Sequence, residues 1–246
     1  MGIRNDATVE DAILESRRRR RHHTPLLMSI ENELNALTDS LNVEELDISL
    51  WKRESGFKHL FSTQETWKLL REQKDKCRWS RGVWFSQATP KFAFIMWLAT
   101  LNRLSTMDRI SSWNPGADST CVLCKSASES RDHLFFECSY SSQIWEHTIR
   151  GVLRSSYTNR WSSIMLLITD GIRDKRKLFC IRYALQAVVY AVWRERNKVK
   201  HGDQLMSLSV LKKLVDKDIL NKLSLLQTKR IGGMEGALQF WFATRV

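Results

Sequence analysis

Chain breakers are scarce in this sequence: three prolines and ten glycines among 246 residues. With 43% hydrophobic residues and ten tryptophans beside them, that scarcity excludes general disorder and predicts one or two domains with a real core. The five cysteines are odd in number and mostly clustered, which argues against a disulfide framework and predicts a reducing, intracellular compartment. The N-terminus is polar and charged, so no secretory signal is read there. The most apolar long stretch, Leu178 to Trp193, is broken by Arg182 and Gln186 and is too short to span a bilayer, so no membrane partner is expected. No two aspartates are adjacent and no Tyr-x-Asp-Asp occurs, whereas a two-metal polymerase or nuclease needs several carboxylates converging on Mg²⁺. The acids Glu44, Glu45 and Asp47 read as a polar linker. Neither a Ser/His/Asp set nor a Gly-rich phosphate loop stands out. The sequence therefore predicts no catalytic residue and no small-molecule substrate.

What is present is one compact group of soft ligands: Cys121, Cys124, His133 and Cys138, spaced C-x2-C-x8-H-x4-C within CVLCKSASESRDHLFFEC. Two cysteines separated by two residues turn a tight knuckle and aim both sulfurs at one point. A His and a Cys four residues apart can close the other half of a tetrahedron. Structural zinc takes four such N/S ligands at about 2.0–2.3 Å. A catalytic zinc keeps one position open, and here four ligands, three of them thiolates, fill the set. The alternative is a chance cluster of buried thiols. Cys77 and Cys180 have no ligand at such spacing, and Cys180 reads as a small core residue.

Charge is the second feature. The formal net charge is +12 and the pI near 9.7, a balance that favours polyanionic partners such as RNA or DNA. The excess lies on the flanks of the cysteine loop. Residues 51–82 carry nine basic against four acidic residues, and residues 161–246 sixteen against seven. Arg17, Arg18, Arg19, Arg20 and Arg21 form an unbroken run of the kind that serves nuclear localisation or nucleic-acid contact. Arg103 and Arg109 precede the loop, Lys125 and Arg131 lie within it, and Arg194, Arg196, Lys198 and Lys200 follow downstream. These cations are the candidate phosphate contacts; ordinary solvated charge is the alternative for each. Leu134, Phe135 and Phe136 are expected to face the core, with stacking on unpaired bases as the alternative. Trp97, Trp113 and Trp145 read as packing residues.

Periodicity makes the chain mostly α: a small helical domain built around a Cys3His zinc loop, with flanking helices. Residues 1–24 read as a basic tail and 25–55 as a helix, opened by Thr24-Pro25, and an acidic linker. The zinc-binding domain is placed at 56–155 and a helical C-terminal region at 156–246. Ser62-Thr63-Gln64-Glu65 reads as a capping box. Lys91 to Leu101, apolar nearly all round, predicts a buried central helix. Ser105 or Thr106 and Ser139 read as caps, and Asp174 precedes a long amphipathic helix to about Lys200, closed by Gly202. Leu208, Leu211, Val215, Ile219, Leu223 and Leu226 draw one further helical stripe.

The stretch from Pro90 to Trp145 resembles the zinc-binding domain of plant non-LTR (LINE-type) retrotransposon reverse transcriptases. The resemblance rests on Trp97-Leu98-Ala99, Arg103-Leu104, Thr106, Asp108-Arg109, Trp113, the cysteine pair, Glu129, Asp132 to Phe136, Cys138 and Trp145. It is strongest over about residues 83–146. A looser likeness extends upstream through Phe61-Ser62-Thr63 and Trp67, and downstream to Trp193 to Asn197. It implies that Cys121, Cys124, His133 and Cys138 hold Zn²⁺. It also implies a module that lies C-terminal to a polymerase in such elements, here expected as a stand-alone remnant. The sequence thus predicts a non-enzymatic zinc module contacting RNA or DNA. The competing reading is a structural or protein-interaction zinc module in a decaying retroelement copy.

Overall fold

The computed structural model describes residues 24–37, 48–53, 56–72 and 74–245, with Asp6, Thr8, Asp11 and Ile13 as isolated positions. The run Arg17 to Arg21 and the acids Glu44, Glu45 and Asp47 lie outside the described residues. The chain divides into two compact units, Met1–Lys74 and Asp75–Val246. Helices dominate, joined by one two-stranded sheet, so the mostly-α expectation holds. No helix among the described residues is long and apolar enough to cross a membrane.

The first unit is thinly packed. Helix α1 (Pro25–Leu37) buries none of its residues, although Leu27, Ile30, Leu34 and Leu37 follow helical spacing. Strands β1 (Trp51–Arg53) and β2 (Gly56–Lys58) pair antiparallel, with Trp51 opposite Lys58 and Arg53 opposite Gly56. Gly56 has φ +97°, a left-handed value that suits glycine at this turn. Helix α2 (Thr63–Leu70) opens as the capping box predicts, with Ser62 Oγ accepting the Glu65 N–H at 3.4 Å. Arg53 pairs with Glu65 at 3.1 Å, and Trp51 meets Phe61 at 4.4 Å between ring centroids.

In the second unit, a four-residue turn of helix α3 (Ser80–Val83) leads to α4 (Pro90–Thr100) and α5 (Met107–Trp113). The cysteine loop follows, then α6 (Ser141–Leu153), α7 (Trp161–Thr169), α8 (Lys175–Lys200), α9 (Leu208–Thr228) and α10 (Ala237–Ala243). The axis of the unit is α8. Asp174 caps it, its carboxylate accepting the Arg176 and Lys177 N–H groups at 2.8 and 3.2 Å. Lys198 and Lys200 face the negative end of its dipole, and Gly202 follows with φ +100°. Helices α4, α6, α7, α9 and α10 all pack on α8, burying Cys180, Ile181, Ala184, Leu185, Val188, Val189 and Val192. From α9 the stripe Leu211, Val215, Ile219, Leu223 and Leu226 is buried as its spacing predicts.

Two expectations are corrected. Helix α4 is not central: it buries Phe92, Ala93, Met96 and Ala99, while Phe94 on its other side is half-exposed. Its sequence is apolar all round, so periodicity alone does not say which side is covered. Ser139 does not cap α6. The helix begins at Ser141, and the Ser142 N–H donates to the Cys138 carbonyl at 2.9 Å, so the cysteine itself leads into the helix.

Candidate metal centre

A short pinned hairpin builds the first half of the site. The Cys121 N–H donates to the Ala127 carbonyl at 2.7 Å and the Glu129 N–H to the Ser119 carbonyl at 2.8 Å, around a bridge between Thr120 and Ser128. Between these arms Cys121 to Lys125 makes one turn, closed by the Lys125 N–H on the Cys121 carbonyl at 3.0 Å. Lys125 takes the left-handed φ of +57° that lets the chain double back. The Leu123 and Cys124 N–H groups then point at the Cys121 sulfur.

The second half is a π-helical turn, His133–Glu137, in which the Cys138 N–H donates to the His133 carbonyl at 2.7 Å. In an α-helix, five residues turn through about 500°, leaving His133 and Cys138 roughly 140° apart around the axis. The wider i→i+5 turn brings both ligands to one side. His133 is anchored at its start by Ser130 Oγ, which accepts its N–H at 3.2 Å.

The four ligand atoms converge, all lying within 4.8 Å of one another. The Cys121 and Cys138 sulfurs are 3.9 Å apart, and the Cys124 sulfur is 3.4 Å from His133 Nε2. Tetrahedral bonds of about 2.0–2.3 Å require ligand separations of that size. Cys121 and Cys138 are fully buried, where bare thiolates would be unstable without compensation. The donors aimed at the sulfurs supply part of it. The Cys138 thiol is drawn down to about 5, first by the hydrogen bond from Cys121 against the opposing effect of burial, then by the Ser141 and Tyr140 N–H groups. As the donor of that bond, Cys121 is pushed far up, and burial adds to the effect. Burial works to raise Cys124, but hydrogen bonds from the Ser126 hydroxyl and N–H, from His133 and from Cys121 outweigh it and the net shift is downward. A group that holds sulfurs part-way to thiolates in a closed four-ligand set fits a tetrahedral metal ion.

The apolar residues between the last two ligands are core. Leu134, Phe135 and Phe136 are fully buried. Phe136 meets Trp145 at 5.3 Å and Trp161 at 5.6 Å between centroids. They lock the loop onto α6 and α7 and are closed to nucleobases, which removes the stacking alternative. Trp145 is buried as expected and donates through Nε1 to the Thr158 carbonyl at 2.9 Å. Trp97 is partly buried, whereas Trp113 is exposed with the Arg109 guanidinium over its ring.

A buried ion pair ties the loop to α8, and sequence reasoning missed it. Glu129 and Arg196 have side-chain exposures of 0% and 2% and meet at 2.7 Å. Glu129 Oε2 also accepts the Val122 N–H inside the knuckle at 2.9 Å, and Oε1 accepts the Met107 N–H opening α5 at 3.1 Å. One carboxylate thereby joins knuckle, α5 and α8. The partners are 67 residues apart, so no local pattern announces them, although both fall within the stretches that carried the resemblance. Beside them Glu195, also buried, accepts the Met206 N–H at 2.7 Å.

Arg196 therefore leaves the set of available cations, correcting its assignment as a phosphate contact. Arg131 is committed to Asp132 at 2.6 Å and to the Trp161 ring at 4.2 Å, and Arg109 donates to the Asn102 carbonyl. Arg103, Lys125, Arg194, Lys198 and Lys200 are exposed. Arg17 to Arg21 lie outside the described residues. Cys180 is buried as a small core residue, its thiol pushed up to about 12 by desolvation. His147 pairs with Asp216 at 2.8 Å.

Residues 61–145, about a third of the chain, match the family model described as zinc-binding in reverse transcriptase. The matched segment contains all four candidate ligands and ends at the buried Trp145. No curated protein and no solved structure matches the chain.

Proposed function

We propose that this protein is a non-catalytic zinc module derived from a plant non-LTR retrotransposon reverse transcriptase, and that it binds RNA or DNA through basic surfaces. The observation that carries the zinc part is the closed Cys121, Cys124, His133, Cys138 set, whose ligand atoms lie within 4.8 Å of one another. It sits inside a segment matched by the zinc-binding model. Bound there, Zn²⁺ would neutralise the thiolates and hold the knuckle against the π-turn. Four protein ligands leave no open position for a reacting water, which supports a structural role. The charge of +12 supports a polyanionic partner, and phosphate contacts from mobile lysines and arginines give sequence-independent affinity that falls with salt.

Elemental analysis of purified protein tests the metal: one zinc per chain is expected, and protein that holds no metal and keeps its fold unchanged in a strong chelator would sink it. Fluorescence anisotropy with labelled RNA and DNA across a salt series tests the partner. Binding on the order of 10⁻⁶ M that weakens as salt rises is expected. Absence of binding at low salt would leave a structural or protein-interaction module. Template-dependent extension or nuclease activity that disappears with a point substitution in this chain would overturn the non-catalytic reading.

A further inference from the structure

Between Lys76 and Met107 the chain carries five cations, Lys76, Arg78, Arg81, Lys91 and Arg103, and no acid. The same stretch holds Trp79, Trp84, Phe85, Phe92, Phe94 and Trp97. Phe92 is buried, and Trp79 and Phe85 pack on the core. Trp84 and Phe94 stand at the surface, and Trp97, partly buried against the core, lies next to both. Phe94 and Trp97, three residues apart on α4, share a helix side, with centroids 5.7 Å apart. Trp84 comes to within 6.3 Å of Trp97 from the end of α3. Trp84 and Phe94 are each 49% exposed, so two half-open rings are joined through the partly buried Trp97 into one connected patch.

At the other end of the same helical turn is a recess of about 210 Å³ lined by Lys76, Arg78, Ser80, Arg81 and the Thr169–Asp170 end of α7. The Trp84 N–H donates to the Ser80 carbonyl at 2.8 Å, so a single turn separates the recess from the ring patch. Asp170 is the one carboxylate in the recess, and it faces Arg78 at 3.4 Å. Among the described residues no ion pair engages Lys76 or Arg81. Cations beside open rings are what a strand of alternating phosphates and unstacked bases requires: the charges follow the backbone and the rings accept base faces. A duplex offers the phosphates but keeps its bases stacked on one another.

Building on the nucleic-acid reading above, we propose that the α3–α4 face binds an unpaired nucleic-acid strand, phosphate in the Lys76/Arg78/Arg81 recess and bases against Trp84, Phe94 and Trp97. It is this face, and not the metal loop, that discriminates unpaired from duplex substrates. The metal loop's own aromatics are shut inside the core.

The test uses the zinc-loaded full chain with labelled oligouridine, oligodeoxythymidine and a duplex of equal length, read by fluorescence anisotropy over a salt series. Trp84→Leu/Phe94→Leu keeps the surface apolar but removes the rings. It is expected to weaken single-strand binding about tenfold, change duplex binding less than about twofold and leave the salt slope intact. Trp84→Phe should restore most of the loss when paired with wild-type Phe94. Lys76→Gln/Arg81→Gln is expected to weaken both substrates and flatten the slope of log K against log salt by about 1 to 2. Unchanged metal content and circular dichroism guard against a folding defect.

Single-strand binding unaffected by the Leu pair, yet weakened by Lys198→Gln/Lys200→Gln or by neutralising Arg17 to Arg21, overturns this site while the nucleic-acid reading stands. A wild-type chain that binds nothing at low salt overturns both. A wild-type dimer that the Leu pair converts to monomer, with binding unchanged, makes the patch a self-association face and overturns the proposal. Binding of oligouridine but not oligodeoxythymidine, lost in the Leu pair, supports it and identifies the strand as RNA.

Discussion

Two aromatic clusters in the second unit are alike in composition and opposite in fate. Leu134, Phe135 and Phe136, at the metal loop, are fully buried against Trp145 and Trp161. Trp84, Phe94 and Trp97, at α3 and α4, stand at the surface, two of them half-exposed. What separates them is what lies opposite. The π-turn holding His133 and Cys138 is pressed onto α6 and α8, so every ring it carries points into packed helices. Helix α4 packs on α8 and meets α3, and the side that carries Phe94 stays half-exposed. The cluster in the cysteine loop is therefore fixed in the core, whereas the cluster on α3 and α4 keeps two rings half open to solvent.

The comparison breaks most completely at the metal. Cys138→Ser removes one of four ligands, and because the loop's hairpin and π-turn converge on that point, loss of metal should unfold at least the stretch from Asn114 to Trp145. Hydrogen exchange should show that stretch opening while Leu211 to Leu226 of α9 stays protected. Full protection of the loop in the metal-free variant would mean that the buried aromatics suffice to hold it.

Acid probes the same link with a defined sign. Where the four side chains stay together without metal, the hydrogen bond from Cys121 lowers Cys138 to about 5 and raises Cys121, so one proton is held between the two sulfurs. That proton must leave when metal binds, so affinity should fall by about tenfold or more per unit of pH lowered near neutrality, and more steeply if the loop opens without metal and its thiols regain their protons. Below about pH 5 Cys138 also takes up a proton and the fall steepens. A competition titration with a chromogenic chelator across pH 5–8 measures the slope. A pH-independent affinity would contradict the shared-proton arrangement of the two sulfurs.

Next in size is the Glu129–Arg196 pair. Glu129→Ala leaves a buried guanidinium unpaired, along with the Val122 and Met107 N–H donors, and should destabilise by about 3–5 kcal/mol. Arg196→Met/Glu129→Leu removes both charges together and should be less harmful than the sum of the single changes. Urea denaturation of the metal-loaded forms gives all three values. Additive losses would mean that the two residues act independently of each other.

How much of this was legible in the sequence depended on the range of the signal. The ligands Cys121, Cys124, His133 and Cys138, the caps at Ser62 and Asp174, and the α9 stripe are all local patterns, and each appears where spacing placed it. The π-turn was not legible, because H-x4-C specifies which ligands must meet but not the backbone that brings them together. Helix α7 gives little local signal, since Trp161–Thr169 is short and no side chain caps it. The Glu129–Arg196 pair depends on a fold that brings residues 67 apart into contact. Sequence alone therefore leaves Arg196 indistinguishable from Arg194, Lys198 and Lys200, the exposed cations beside it on α8. Exposure of Trp84 and Phe94 was equally hidden: a helix apolar on every side gives no indication of its open one.

The smallest expected effect is at Trp84, set against a matched truncation in the buried cluster. Phe136→Ala should cost about 3–5 kcal/mol, since truncating a fully buried aromatic leaves a cavity that the surrounding rings fill only in part. The same truncation at Trp84 removes a ring that is 49% exposed and ends a four-residue turn, so little apolar surface returns to water. Its cost should be no more than about 1 kcal/mol, nearer the range of surface substitutions. Matched thermal and urea melts of the two variants, both metal-loaded, compare these losses directly. If Trp84→Ala destabilises as much as Phe136→Ala, the α3–α4 rings are structural and their exposure serves no ligand. If it leaves stability nearly intact while single-strand binding weakens, the division of labour holds: the rings at the metal hold the fold, and those on α3 and α4 hold the strand.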